Sequence, residues 1–423
     1  MKHVIIGNSA AAIGCVEGIR RASRTDDIVL VAAEPHHTYS RPLISYLMAG
    51  KTDRTKIRYR PENFYRANGV QAKLGRRALG IDPAGKIVTL DGGETIAYDN
   101  VLVATGSDPL IFPAEGLDQV ENVRTFTTLD DAEALLRSVT AETRVFVVGA
   151  GLIGLKCAEG LRAITEHITV CDLAPRVLSS ILEDAPAAIL RRHLEENGIV
   201  LKLGTSVSSF ARAGAACTAT LRTGETVPFD QLVYAAGVRP NTALVKDAGG
   251  DVNRGILVDT LCRTSLPDVY AAGDCTESPD ACSGERKVMA LLPNAYLQGE
   301  TAGITMAGAT APTLPLLPMN AIGFFGLHLL CAGVYDGERT EHTDGQNYRS
   351  FYTRDNTLRG YILLGRVERA GIYTALIRGR TPLDALDFAA LRDQPGLIAF
   401  AGPVRAEILR NQDNQRKREA AAP

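Results

Sequence analysis

The chain contains no Cys-x-x-Cys pair; its eight cysteines are scattered through 423 residues. Iron–sulfur clusters, structural zinc sites and redox-active dithiols depend on closely spaced cysteines, so the pattern argues against all three. Cys275 and Cys282 are the nearest pair on one loop and read as two reduced thiols. Net charge is also nearly absent. A formal charge of −2 gives no global basic field of the kind that holds nucleic acid, and the basic run Arg54–Arg60 reads as a solvated face. No window approaches the ~18 uninterrupted apolar residues of a membrane span. The apolar run Val4–Ile6 is too short for a signal-peptide core, so the expected location is cytoplasmic.

Glycine is abundant and placed with order. The stretch Arg144–Asp172 starts with the apolar, β-branched run Val145–Val148, which predicts a strand buried on both faces. Gly149, Gly151 and Gly154 follow in G-x-G-x-x-G spacing, then a helical pattern through Leu152 and Ile153 to about Ile164, then Ile168–Val170 and a terminal acid, Asp172. Each part has a physical task. Gly149 permits the tight turn, Gly151 lets backbone approach a pyrophosphate, and Gly154 lets helix and strand pack closely. The helix start offers unpaired N–H groups and a partial positive charge to the phosphates. Asp172, twenty-three residues after Gly149, can accept hydrogen bonds from a ribose diol.

A second unit of this kind comes first in the chain. Val4–Ile6 predicts a strand, Gly7–Ala12 a turn, Ala12–Ala22 a helix, and Ile28–Ala32 a strand before Glu34. Here Ser9 replaces the second glycine and Ala12 the third, with Ala10 and Ala11 between. Two units suggest two dinucleotides, one held and one exchanged, as in flavin enzymes that use nicotinamide. Arg41, followed by Pro42, is placed to reach an anionic pyrophosphate. Asn100–Val103 predicts a strand ending in Ala104-Thr105-Gly106, and Leu232–Tyr234 one ending in Ala235-Ala236-Gly237, an internal echo. Asp91–Glu94 marks a hairpin, Thr128–Ser138 and Glu183–Asn197 helices. Asp274, after Val269–Gly273, is the acid expected on a sugar-alcohol hydroxyl; the alternative is a turn aspartate. Leu291–Gly308 predicts a helix with Pro293 in its first turn. Residues 312–318 look like a proline-dense connector. Beyond it, strands are expected near Ala321–Phe325, Tyr348–Thr353 and Gly360–Leu364, and helices near Ile372–Ile377 and Pro382–Leu391. Arg405–Arg418 reads as a charged tail.

Six stretches in this order resemble FAD-dependent pyridine nucleotide oxidoreductases: Val4–Ala12 with Glu34, Tyr39–Leu43, Val101–Gly106, Val147–Gly154 with Asp172, Ala235–Asn241 and Val269–Asp274. The nearest relatives by pattern are rubredoxin and ferredoxin reductases, NADH oxidases and the flavin part of nitrite reductases. The resemblance implies an α/β chain with two Rossmann-like dinucleotide-binding domains and a small C-terminal α+β domain. Residues 1–115 with 240–311 would hold FAD, 116–239 would hold NAD(H), 319–400 would form an interface module, and 401–423 a tail. It implies FAD contacts from Gly7, Ser9, Ala10, Ala11, Glu34, Arg41, Pro42, Ala78, Ala104, Thr105, Gly106, Asp274 and Pro293. NAD contacts would come from Gly149, Gly151, Leu152, Ile153, Gly154, Asp172, Ala236 and Gly237, with Asp172 favouring NAD over NADP and Arg176 weakening that preference. Two departures stand out. The chain has Pro42 and Ser45 where thiol-dependent relatives carry a cysteine, so a thiol mechanism is not expected. Lys156 stands where relatives carry Glu, near the expected nicotinamide–flavin contact or simply on a solvent-facing helix side.

The resemblance also implies the chemistry: hydride transfer between NAD(H) and FAD without a side-chain acid or base, then single electrons to or from an iron–sulfur or metalloprotein partner subunit. Such a partner would belong to a tungsten-containing aldehyde oxidoreductase or a 2-oxoacid oxidoreductase complex. A stand-alone NADH oxidase or rubredoxin-type reductase is the alternative, and a flavoprotein without turnover the third reading. The C-terminal module, a dimer interface in relatives, is compatible with a homodimer and is the expected docking surface.

Overall fold

Runs of apolar residues with no alternation make strands that must be covered on both faces, and two such sheets form the first compact unit. In the computed structural model, the described residues are 1–214, 216–312, 316–396, 399–400, 402–403, 405–406 and 410. The chain divides into one unit of residues 1–280 with 284–316 and a second of 281–283 with 317–423.

The first unit contains two five-stranded parallel sheets. One has the order Val269–Ala271, Asn100–Val103, Lys2–Ile6, Asp27–Ala32, Val70–Leu74, with Val4 aligned to both Val29 and Val101. The other has the order Ile199–Leu203, Ile168–Asp172, Val145–Val148, Gln231–Tyr234, Val123–Arg124, with Val147 aligned to both Val170 and Val233. Val4, Ile5, Val101, Leu102, Phe146, Val147, Leu232 and Val233 are fully buried. The repeat is topological as well as sequential. In each sheet the strand after the acid leads into a three-stranded antiparallel meander before the chain returns beside the first strand. The meanders are Ala78–Asp82, Ile87–Leu90 and Thr95–Ala97 in the first half, and Val207–Ala213, Ala216–Leu221 and Thr226–Phe229 in the second. The two chain crossings between the sheets, Ser107–Pro109 and Val238–Pro240, pair with each other antiparallel.

The helices Ala10–Ala22 and Leu292–Met306 cross with little side-chain material between them. A Cβ on Gly299 would meet the carbonyl of Ala11, and one on Gly303 the carbonyl of Cys15. Gly14 and Gly18 face Tyr296 and Glu300 backbone in the same way. Glycine at these positions is therefore imposed by helix contact rather than by a turn.

The second unit is a five-stranded antiparallel sheet in the order Met319–Phe324, Leu327–Gly333, Thr357–Leu364, Asn347–Arg354, Glu338–Asp344. Phe351, Tyr361 and Leu363 pack with Tyr373 and Leu376 of the Gly371–Gly379 helix. Two of these strands, Leu327–Gly333 and Glu338–Asp344, carry no sequence expectation; the latter is exposed at every position, so it has no alternation to read. The helix expected over Pro382–Leu391 is instead a 3-10 turn at Leu383–Ala385 and a helix at Phe388–Asp393, whose Asp387 side chain accepts from the Ala390 N–H at 2.9 Å and starts it afresh. Residues 313–315 of the connector and most of the charged tail, 411–423 included, lie outside the described residues. Among the described residues no helix is long and apolar enough to cross a membrane.

Candidate functional site

Both glycine turns are shaped by the strand beside them. Gly7 has φ +132° and Gly149 has φ +118°, values that favour glycine. A Cβ on Gly7 would run into the carbonyl of Ala104, and one on Gly149 into the carbonyl of Ala235. The Gly7 N–H donates to Val31 O at 2.8 Å, and the Gly149 N–H to Cys171 O at 2.7 Å. Gly154 is also fixed by packing, because its Cβ would meet the Gly149 carbonyl. Gly151 differs: a Cβ there would find no protein atom within 4 Å. Gly151 and Ser9 are the N-caps of the helices Leu152–Leu161 and Ala10–Ala22, and neither helix start receives a side-chain cap. The first-turn N–H groups of Ala10, Ala11, Leu152 and Ile153 are thus left for a partner outside the helix. Ser9 sits at φ −103° in extended backbone and needs no glycine.

The two acids follow the strands as expected, but each has protein partners. Asp172 accepts from the Ala150 N–H at 2.6 Å and the Ala174 N–H at 2.8 Å. It therefore also ties the glycine turn to the strand end. Arg176 donates to Leu182 O, Asp184 Oδ1 and Ser179 O. Glu34 accepts from the Tyr39 hydroxyl at 2.6 Å and from Arg41 Nη2 at 2.5 Å. A carboxylate has about four acceptor positions, so both acids retain capacity for a diol. Arg41 also donates through Nη1 to Thr127 O at 2.6 Å, and its guanidinium keeps further N–H groups for other acceptors. Pro42 follows it in the 3-10 turn Arg41–Leu43. Ala78 opens its strand opposite Leu90, just after Gly75 and Arg76 bond back to Glu34 O and Ala32 O.

Asp274 lies where two helix starts meet. A Cβ on Gly273 would touch the methyl groups of Ala11 at 3.2 Å and Ala295 at 3.5 Å, each in the first turn of its helix. Gly273 is held from behind by Gln298 Oε1 at 2.9 Å, a buried amide that also reaches Thr276 and Ser278. Asp274 itself has no hydrogen-bond donor among the described residues, and burial pushes its carboxyl above the ordinary aspartate range against the pull of the Arg41 charge. Pro293 is exposed in the first turn of Leu292–Met306. Thr105 and Gly106 meet Asn241 across the paired crossings. The Thr105 hydroxyl donates to Asn241 O at 2.9 Å, and the Asn241 N–H to Gly106 O at 2.9 Å. Ala236 and Gly237 close the second turn, where the Leu110 N–H donates to Gly237 O at 2.9 Å.

Lys156 is not on a solvent-facing side. It is 12% exposed, ion-paired with Glu159, and its Nζ lies 4.6 Å from the centre of the Tyr46 ring. The sequence reading missed Gln298 and the Asn8–Tyr65 pair, in which the Tyr65 hydroxyl donates to Asn8 Oδ1 at 2.9 Å. Leu292–Met306 also carries Asn294, Glu300, Thr301 and Thr305, so nothing local marks either one.

Two such cradles in one chain define an α/β oxidoreductase that works with two dinucleotides. The chain belongs to the pyridine nucleotide-disulphide oxidoreductase family, whose profile matches residues 1–299. It is an FAD-dependent NAD(H) oxidoreductase. It is 31% identical over 370 residues to the assimilatory nitrate reductase electron transfer subunit of Bacillus subtilis, covering 86% of this chain and 47% of that protein. The chain thus spans about half the length of that relative. It is 28% identical over 396 residues to the NADH-dependent phenylglyoxylate dehydrogenase subunit epsilon of Aromatoleum evansii, covering 91% of this chain and 93% of that one. Among solved structures, a ferredoxin reductase from Rhodopseudomonas palustris superposes with a TM-score of 0.81 at 26% identity, over 90% of this chain and 95% of that one. The residues present fit the two cofactors. The space over Gly151, two uncapped helix starts and a half-buried carboxylate without a donor are what dinucleotides would fill.

Proposed function

We propose that this chain is the flavin-containing, NAD(H)-linked electron-transfer subunit of a larger oxidoreductase, exchanging electrons with an iron–sulfur or metalloprotein partner. When bound, FAD and NAD(H) supply hydride transfer and the change from two-electron to one-electron steps. Residues 1–115 with 240–311 hold FAD, 116–239 hold NAD(H), and 319–400 serve as the interface module. Gly7, Ser9, Ala10 and Ala11 present the first helix start to a pyrophosphate, with Glu34 at the ribose and Ala78, Pro42 and Ala104–Gly106 around it. Asp274 accepts from a hydroxyl of the ribityl chain, which gives its half-buried carboxylate the donor it lacks. Gly149–Gly154 with Asp172 and Ala236–Gly237 do the same work for NAD(H). The start of Leu292–Met306, at Pro293, faces developing negative charge with its dipole.

The observation that carries this reading is the pair of equivalent cradles in a chain whose thiols are buried at all but one position. Seven of the eight cysteines are buried and none is in a disulfide, so no thiol relay stands between the flavin and an acceptor. The subunit names of the Bacillus and Aromatoleum relatives support a role inside a complex. The test is purification of the native chain with whatever accompanies it, followed by metal analysis and kinetics. The expected outcome is a yellow protein that NADH bleaches at once, that turns over slowly with O₂, and that turns over fast when a co-purifying iron-containing subunit is returned. Rapid NADH–O₂ turnover by the lone chain would replace this reading with that of an oxidase.

A further inference from the structure

The Tyr39 hydroxyl joins parts of the first unit that the proposed function gives to different nucleotides. It donates to Glu34 Oε2 at 2.6 Å and accepts from the backbone N–H of Leu129 at 3.0 Å. Glu34 follows the second strand of the first sheet, and Leu129 is the first residue of the helix Leu129–Ser138 in segment 116–239. That helix start is otherwise served from within, by a capping box between Thr128 and Asp131. Among the described residues, the Leu129 N–H is satisfied only from across the junction. Arg41 makes a parallel connection, from Glu34 Oε1 at 2.5 Å to Thr127 O at 2.6 Å. The ring of Tyr39 is 8% exposed, and burial keeps its phenol protonated well past neutrality. Two more links reach the same helix, His36 to Asp130 and Arg54 to Glu133, but both are exposed at the surface. Screening and side-chain freedom make such links weak, whereas a buried hydrogen bond holds its two ends in one geometry.

We propose that Tyr39 is a positioning residue for hydride transfer. Its hydroxyl fixes the start of the Leu129–Ser138 helix, and with it the NAD(H)-binding segment, on the carboxylate that serves FAD. This rests on the assignment of the two segments above. The reacting atoms of the two nucleotides meet only if the segments keep their mutual placement. Hydride transfer is sensitive to displacements of about an ångström, so a stiff, desolvated bridge matters to rate more than to binding.

Tyr39→Phe tests this, because it keeps the ring and removes only the bridging oxygen. Flavin content should match the wild type. In stopped flow, the limiting rate of flavin bleaching at saturating NADH should fall roughly ten- to hundredfold, while the NADH dissociation constant moves less than about threefold. Deuterium exchange in the holoprotein should speed up in the peptide containing Leu129. A wild-type bleaching rate in the variant would overturn the inference whatever the exchange shows, since the bond would then be merely structural. Loss of flavin from the variant would also overturn it, by assigning the hydroxyl to FAD binding. If NADH fails to bleach the wild-type protein, the fault lies with the proposed function and not with Tyr39.

Discussion

Gly149 and Gly151 stand two residues apart and answer to different constraints. Gly149 combines φ +118° with a Cβ position inside the Ala235 carbonyl. Gly151 has φ −80° and open space where its Cβ would be. Alanine at Gly149 should therefore destabilise the protein, by about 1–3 kcal/mol from backbone strain alone, before any ligand is considered. Alanine at Gly151 should leave the melting temperature unchanged yet weaken NADH by roughly tenfold or more, ~1.4 kcal/mol, because its methyl group would occupy the path of the pyrophosphate. Thermal melting and NADH titration of the two variants separate these cases; a Gly151 variant that binds NADH like the wild type would remove the dinucleotide from this turn. The glycines were legible because backbone close to a phosphate leaves a local mark. The partners of Arg41 were not, since its position after Tyr39 says nothing of a carbonyl at Thr127, eighty-six residues away.

Between elements, the contact of the Ala10–Ala22 and Leu292–Met306 helices braces the first sheet's cradle. The two pairs Gly14/Gly18 and Gly299/Gly303 are each spaced four apart, so they lie on one helix face and let the backbones approach. Beside them, Arg60 forms a two-pronged pair with Glu17 and stacks on Tyr59, while the Tyr296 hydroxyl donates to Glu17 Oε2 at 2.6 Å. Both helix starts border Gly273, so a change in their crossing moves the backbone beside Asp274. Gly303→Ala puts a methyl group against the Cys15 carbonyl and should cost about 1–3 kcal/mol through overpacking. Melting temperature and flavin content should fall together, although Gly303 lies more than two turns from the helix start and touches no cofactor. Retention of both would show that the crossing can relax without disturbing the cradle. The existence of each helix could be read from local pattern. Their pairing could not, because facing glycines 285 residues apart in sequence (Gly14 and Gly299) look like ordinary helix interruptions until the partner is known.

Across the whole molecule, one plan is used twice: parallel strands, a glycine turn, an acid, a meander, and a return strand whose carbonyl seats the turn. This repetition made the α/β fold legible from sequence, whereas the all-polar edge strand Glu338–Asp344 in the second unit gave no periodic signal at all. The proposed function places no sulfur on the route of electrons. Burial raises the thiols of Cys15, Cys157, Cys262 and Cys331, and takes Cys171 to about 12 and Cys275 to about 11. Cys275 lies next to Asp274 in sequence, yet its Sγ points back at the carbonyls of Val103 and Ala272 at 3.5 and 3.4 Å. A thiol becomes a nucleophile or redox group only as an accessible thiolate, and these six are neither ionised near neutrality nor open to reagents. Cys282 alone among the eight is partly exposed. Iodoacetamide applied to the NADH-reduced holoprotein should therefore modify Cys282 at most and leave NADH–ferricyanide turnover at its starting rate, with the modified positions read by peptide mass spectrometry. A loss of turnover that tracks alkylation of any one cysteine would mean that electrons pass through sulfur after all, and the direct route from flavin to acceptor would have to be abandoned.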